Sequence, residues 1–172
     1  IIGSLGKATL LNSTGGQIWE YTVGSNQVNA VSIGYIDGED KVVLGLNNGS
    51  VYMCNRNDGS CELKYTADSA VNDIEVADLT DSSGNEIAAS LNNGNLLLLA
   101  MDFTLISGSA LATSIDDLAL GNIHSYLGTE VGAVADDDNV YIMNLQAASD
   151  IQIDIGSTSS AWTHSGLLDS SV

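Results

Sequence analysis

The feature that most constrains this chain is that it repeats itself. Residues 46–55 read LNNGSVYMCN, and residues 91–100 read LNNGNLLLLA. Aligned on that phrase, four alternating segments fall into step: VNAVSIGYI (28–36), VNDIEVADL (71–79), IDDLALGNI (115–123) and AWTHSGLLD (161–169), with starts 43, 44 and 46 residues apart. A second run of small and β-branched residues follows the first three: KVVLGLN (41–47), EIAASLN (86–92) and EVGAVAD (130–136). A polar turn comes next (NNG, NNG, DDD), then a third run: SVYMCN (50–55), NLLLLA (95–100) and NVYIMN (139–144). CELKYTA (61–67), TLISGSA (104–110) and DIQIDIG (150–156) close the units.

Apolar residues alternate at period two, with turns every 8–12 residues, and no stretch carries a helical stripe over three turns. Asn-Asn-Gly supplies residues that tolerate positive φ, as a tight hairpin demands. Four antiparallel strands, A to D, in each unit of about 45 residues is the signature of a propeller blade. The sequence thus predicts an all-β, four-bladed β-propeller in one domain, with blades at 25–69, 70–113, 114–158, and 159–172 joined to 1–24. In that last blade, residues 1–24 would supply strands B, C and D and residues 161–169 strand A, pairing with residues 1–5. This split reads in three ways: a ring closed within one chain, a piece of a larger propeller, or two chains pairing into an eight-bladed ring.

VNDIEVADLTDSSGNEIAASLNNGNLLLLA is similar to the FG-GAP, or integrin-α-like, propeller repeat. LNSTGGQIWEY (11–21) resembles the tryptophan-docking segment of quinoprotein (PQQ-like) propellers, whose Trp packs between blades. The first resemblance implies a calcium loop with oxygen ligands at alternate positions and a carboxylate opening strand B, a pattern suited to a hard cation. The matching residues are Asp78, Thr80, Ser82 and Glu86, with Asp81 beside them; the competing reading is a solvated loop. The second implies inter-blade packing for Trp19 and Trp162. It implies no quinone site, because such sites use basic groups over the ring axis and this chain has four basic residues in all.

Charge narrows the function further. The formal net charge is −18, and the basic residues are Lys7, Lys41, Arg56 and Lys64; from Tyr65 onward there is none, against sixteen Asp and Glu. Such a surface repels phosphate backbones and anionic lipid, which argues against nucleic-acid and membrane-surface partners. Hydrophobic content of 44% argues for a packed core, and no apolar run is long enough for a membrane helix.

Cys54 and Cys61 flank RNDGS across the C–D hairpin, so they can meet in a disulfide or remain as two buried thiols. Asn12-Ser-Thr and Asn48-Gly-Ser are glycosylation sequons on predicted turns. His124 and His164 lack partners at ligand spacing, and no nucleophile elbow or phosphate loop occurs. Asp136, Asp137 and Asp138 read as a solvated hairpin. The expectation is a non-catalytic binding or assembly module, extracellular or on the cell surface, contacting protein or glycan and able to self-assemble. The alternatives are a quinoprotein-related enzyme or enzyme-associated subunit, and a fragment of a larger propeller. Calcium is the one ion the resemblance implies.

Overall fold

A computed structural model of the chain describes residues 1–80, 83–122 and 128–144, together with the backbone of 153–155. Among these residues every regular element is a strand, and the strands form three antiparallel sheets. The first sheet has the order β1 (Ile2–Leu11), β2 (Gln17–Ile36), β3 (Glu39–Leu46), β4 (Ser50–Asn55) and β5 (Cys61–Thr66). The second is β6 (Val71–Ala77), β7 (Glu86–Leu91), β8 (Asn95–Leu99) and β9 (Leu105–Ala110). The third is β10 (Ile115–Gly121), β11 (Glu130–Ala135), β12 (Val140–Asn144) and β13 (Ile153–Ile155). Each repeat unit is therefore a meander of neighbours in sequence, as alternating strands and short turns dictate.

The B–C turns are built as the repeat requires. Gly49 and Gly94 sit at φ 83° and 79°, and Asp138 takes the same left-handed position at φ 63°. Register across each turn is regular: Leu44 opposes Tyr52, Ala89 opposes Leu97, and Ala133 opposes Tyr141.

The core lies between sheets. Because side chains alternate along a strand, Val43 and Val51 face forward from the first sheet and bury against Ile74, Val76, Ile87 and Leu97 of the second. Ala88, Leu96 and Leu98 face forward from the second sheet and bury against Leu118, Val131, Tyr141 and Met143 of the third. The approach is close: a Cβ added to Gly34 would collide with the Val76 side chain. The N-terminal hairpin, β1 with the first half of β2, covers Val42, Leu44, Leu46 and Cys54 on the rear of the first sheet through Ala8, Leu10 and Trp19.

The N-terminal assignment needs correction. Residues 1–24 form two strands, not three: β1 runs unbroken to Leu11, and the second strand is the start of β2. β2 continues through the expected boundary at residue 25 into 28–36 without a turn. Gly24 (φ 76°) bends it, and no proline interrupts it. Leu5 pairs with Gln27, so one edge of the N-terminal segment belongs to β2. On its other edge, no strand pairs with β1 among the described residues. The expected partner segment, 161–169, lies outside the described residues, so ring closure does too.

Candidate functional surface

The loops at one edge of the stack form the most regular polar surface. Here each B–C turn meets the residues that lead into strand A of its own unit, and side chains tie the two together. Asn47 Oδ1 accepts from the Gln27 N–H (3.0 Å). Asn93 Nδ2 donates to Asp68 Oδ1 (3.1 Å). Asp136 accepts from both the Thr113 hydroxyl (2.6 Å) and the Ser114 N–H (2.8 Å). The turns are also braced internally: Asn48 accepts from the Ser50 N–H, and Asp137 accepts from the Asn139 N–H (each 3.1 Å). Asn47, Asn48, Asn92, Asn93 and Asp136–Asp138 are nevertheless exposed. The result is an array of carboxamides and carboxylates held rigid before any partner arrives.

Hydrogen bonds to the carboxylates, chiefly from the Thr113 hydroxyl to Asp136 and from the Tyr141 hydroxyl (2.5 Å) to Asp137, keep both below the usual carboxylate range. The Asp136–Asp138 segment is thus a hydrogen-bonded hairpin.

A second polar feature runs along the inner strands. Asn29 Nδ2 donates to the Val71 carbonyl (2.9 Å), and Asn72 Nδ2 donates to the Ile115 carbonyl (2.8 Å). Each bond links one sheet to the next. Further along, the Ser32 hydroxyl donates to Glu75 Oε2 (3.2 Å), and the Leu118 N–H donates to Asp73 Oδ2 (2.9 Å). Burial pushes Asp73 up to about 6, with the neighbouring Asp117 carboxyl adding to the shift; burial also raises Glu75. Strand alternation alone does not single out these acids. The available signal was the third position of the repeat, where Ala30 becomes Asp73 and then Asp117 one unit later.

The expected calcium loop is organised differently. Glu86 is buried, and Oε2 accepts from the Leu79 N–H (2.9 Å) and the Thr80 N–H (3.1 Å), while Oε1 accepts from the Thr80 hydroxyl (2.8 Å). Asp78 is exposed, and Asp81 and Ser82 lie outside the described residues. No group of three or more His, Cys, Asp or Glu side chains converges among the described residues. The Glu86 carboxylate is thus engaged by the loop's own donors, and the remaining residues of the calcium reading, Asp81 and Ser82, fall outside the described part of the loop.

Cys54 and Cys61 are directly opposed in register and joined in a disulfide. Beside it, Lys41, Met53, Asn55, Ser60, Cys61 and Glu62 line an open hollow of about 310 Å³. Trp19 is buried, donates through Nε1 to the Arg56 carbonyl (2.8 Å), and lies over Gly59, where an added Cβ would meet the ring at 2.7 Å. It therefore docks the hairpin onto the C–D turn of the first sheet. Glu62, at the aligned place in the next unit, is exposed and pairs with Lys64 (2.7 Å). Asn12 and Asn48 are both exposed on turns. His124, Trp162 and His164 lie outside the described residues. No helix of the described residues is long and apolar enough to cross a membrane.

Stacked antiparallel sheets joined in this way define a β-propeller fold, and solved structures agree. The chain is similar to the computationally designed Ika8 protein (TM-score 0.65, 13% identity), to Sqt1 of Saccharomyces cerevisiae (0.70, 19%) and to BamB from Moraxella catarrhalis (0.61, 12%). Each likeness covers 86% of this chain and 42% of the other, so the chain spans less than half the length of these structures. Sqt1 is a WD40 propeller and BamB a PQQ-like one, so the likeness extends across propeller families. No family model matches the chain, and no curated protein does.

Proposed function

We propose that the protein is a non-catalytic binding and assembly module, extracellular or on the cell surface, that contacts a protein or glycan partner through its exposed turns. In this reading it contributes its propeller units to a surface layer or filament. The observation that carries the reading is the tripled B–C turn, braced against the neighbouring connection by side-chain hydrogen bonds in every described unit. Loops fixed before binding lose little entropy on contact, which favours recognition. Carboxamides and carboxylates match sugar hydroxyls and peptide N–H groups.

The test is a glycan array together with binding assays against purified surface proteins, comparing the parent with the Asn48→Ala/Asn93→Ala variant. Binding that the parent shows and the folded variant loses supports the reading. A quinone absorbance or enzymatic turnover in the purified chain overturns it in favour of an enzyme-related propeller.

A further inference from the structure

The N-terminal hairpin carries a hinge line across both of its strands. Gly6 on β1 and Gly24 on β2 take left-handed φ values of 81° and 76°. They lie against each other, since a Cβ added to Gly6 would stand 3.0 Å from the Gly24 carbonyl oxygen. The register of β1 on β2 shifts at the same place, between the Leu5–Gln27 and Lys7–Thr22 pairs. Beyond it the hairpin has a regular ladder of its own, from Lys7–Thr22 to Leu10–Trp19, and Lys7 pairs with Glu20 across it (2.8 Å). A break in register flanked by two glycines lets such a ladder pivot as a body, because a hinge needs only a few residues that absorb a change in φ and ψ.

The far end of the hairpin is fastened to the C–D turn of the first sheet. Trp19 bonds to the Arg56 carbonyl and lies over Gly59, both within the turn that the Cys54–Cys61 disulfide closes. Cys54 is 0% exposed, packed with Ala8, Leu10 and Trp19, and Cys61 borders the same cluster. At this register the second unit sets Leu99 opposite Leu105, so the covalent pair is particular to the sheet that carries the hairpin.

We propose that residues 7–23 are a hinged flap held shut by the Cys54–Cys61 disulfide, and that a dithiol reductant releases it. One thiolate of the reductant attacks a sulfur of the pair, forming a mixed disulfide and freeing the other cysteine. Its second thiol then displaces the first, so the reductant leaves as its own disulfide, and its two electrons and two protons end on the Cys54 and Cys61 thiols. Bonded sulfurs take less room than two thiols, which separate to van der Waals contact. In a close-packed interior that extra volume must come from a neighbour. Cys54 lies between its own sheet and the hairpin; strand pairing on both sides of β4 fixes the sheet, whereas the hairpin can pivot, so the hairpin yields. The released flap uncovers Val42, Leu44 and Leu46. The coupling runs both ways: an open flap favours reduction by the factor with which reduction favours opening.

Hydrogen exchange on the full chain compares the disulfide form with the chain reduced in denaturant and refolded in excess dithiothreitol. Reduction should speed exchange in residues 7–23 by about tenfold while β7 and β8 keep their protection. Equal acceleration in every sheet would make the bond a general stabiliser, and no change at 7–23 would mean the flap stays shut; either result overturns the proposal. A second measurement follows reduction of the native disulfide form by dithiothreitol, read by alkylation and mass; Cys54 and Cys61 are the chain's two cysteines. Trp19→Ala should be reduced about tenfold faster than the parent. Trp19→Phe, which keeps an aromatic ring and loses the bond to Arg56, should fall between them, and it carries the comparison if the alanine variant loses protection in β7 and β8. Equal reduction rates in the parent and the folded variants would overturn the coupling.

Discussion

Asn72 Nδ2 donates to the backbone carbonyl of Ile115 across 2.8 Å, one repeat further along the chain. Asn29 makes the same bond to Val71. Each joins a side chain of one inner strand to the first residue of the next, so the amide tethers sheet to sheet where no strand pairing does. Asn72→Ala should cost about 1–2 kcal/mol, the loss of a part-buried bond with its acceptor left unpaired. Asn72→Asp should cost at least as much at neutral pH, because a carboxylate cannot donate to that carbonyl. Urea denaturation of the two variants checks both statements; an alanine variant as stable as the parent refutes the tether.

Asp73 gives a pH dependence of definite sign. Its native pKa is raised from the ordinary 3.8 to about 6, so the folded state holds the proton more tightly than the unfolded chain. The resulting stability is fully present below about pH 3.8 and is lost as pH rises through 6. Asp73→Asn keeps an acceptor for the Leu118 N–H and removes the titration. Compared with the parent, it should gain in Tm between pH 4 and 7 and level off above that. Asp58, Asp102, Asp136 and Asp137 act in the opposite sense, with lowered pKa values whose contribution disappears as pH falls below the ordinary carboxylate range. Thermal scans at half-unit pH intervals separate the two groups.

Asp138 stands where the other two units use glycine. Its φ of 63° is left-handed, a conformation that strains a side chain and that glycine adopts freely. Asp138→Gly should therefore stabilise by about 0.5–1 kcal/mol, and it also removes one of three adjacent negative charges. Chemical denaturation reads the gain directly, and destabilisation would show that the aspartate side chain is needed at the turn.

The disulfide closes a short loop, so its entropic contribution should be about 2.5 kcal/mol. Reduction should lower Tm and add the mass of two hydrogens, with both thiols then open to alkylation under denaturing conditions. Full thiol reactivity before reduction would show the bond to be absent.

The strand plan was legible because period and turn chemistry agree in every unit. The runs 86–92 and 50–55 became β7 and β4 with changes of at most one residue. The N-terminal segment was misread because Gly6 resembles the glycine of a B–C turn; at φ 81° it makes a bulge between Leu5 and Lys7 within one strand instead. Glu86 was legible as a carboxylate opening strand B, but its bonds to the preceding loop were not. Spacing alone cannot distinguish a carboxylate that meets an ion from one that meets the N–H groups of Leu79 and Thr80. The inner-strand acids stayed hidden for a different reason: burial of Asp73 comes from the neighbouring sheet, and a single strand's alternation carries no record of what stacks on it.

β2 runs for 20 residues from Gln17 to Ile36, pairing first with β1 and then with β3. At about 3.3 Å per residue its contour is about 65 Å, a single tie rod shared by the hairpin and the first sheet. The joint between those two bodies, residues 23–26, stays within one strand and falls at the register shift between the Leu5–Gln27 and Lys7–Thr22 pairs, whereas the connections around Asp68 and Thr113 lie outside the strands. The two halves of β2 thus belong to one strand while pairing with different neighbours, β1 and β3. The hairpin is thus a structural member of the first sheet, continuous with it through the backbone and packed on it through Leu10 and Trp19.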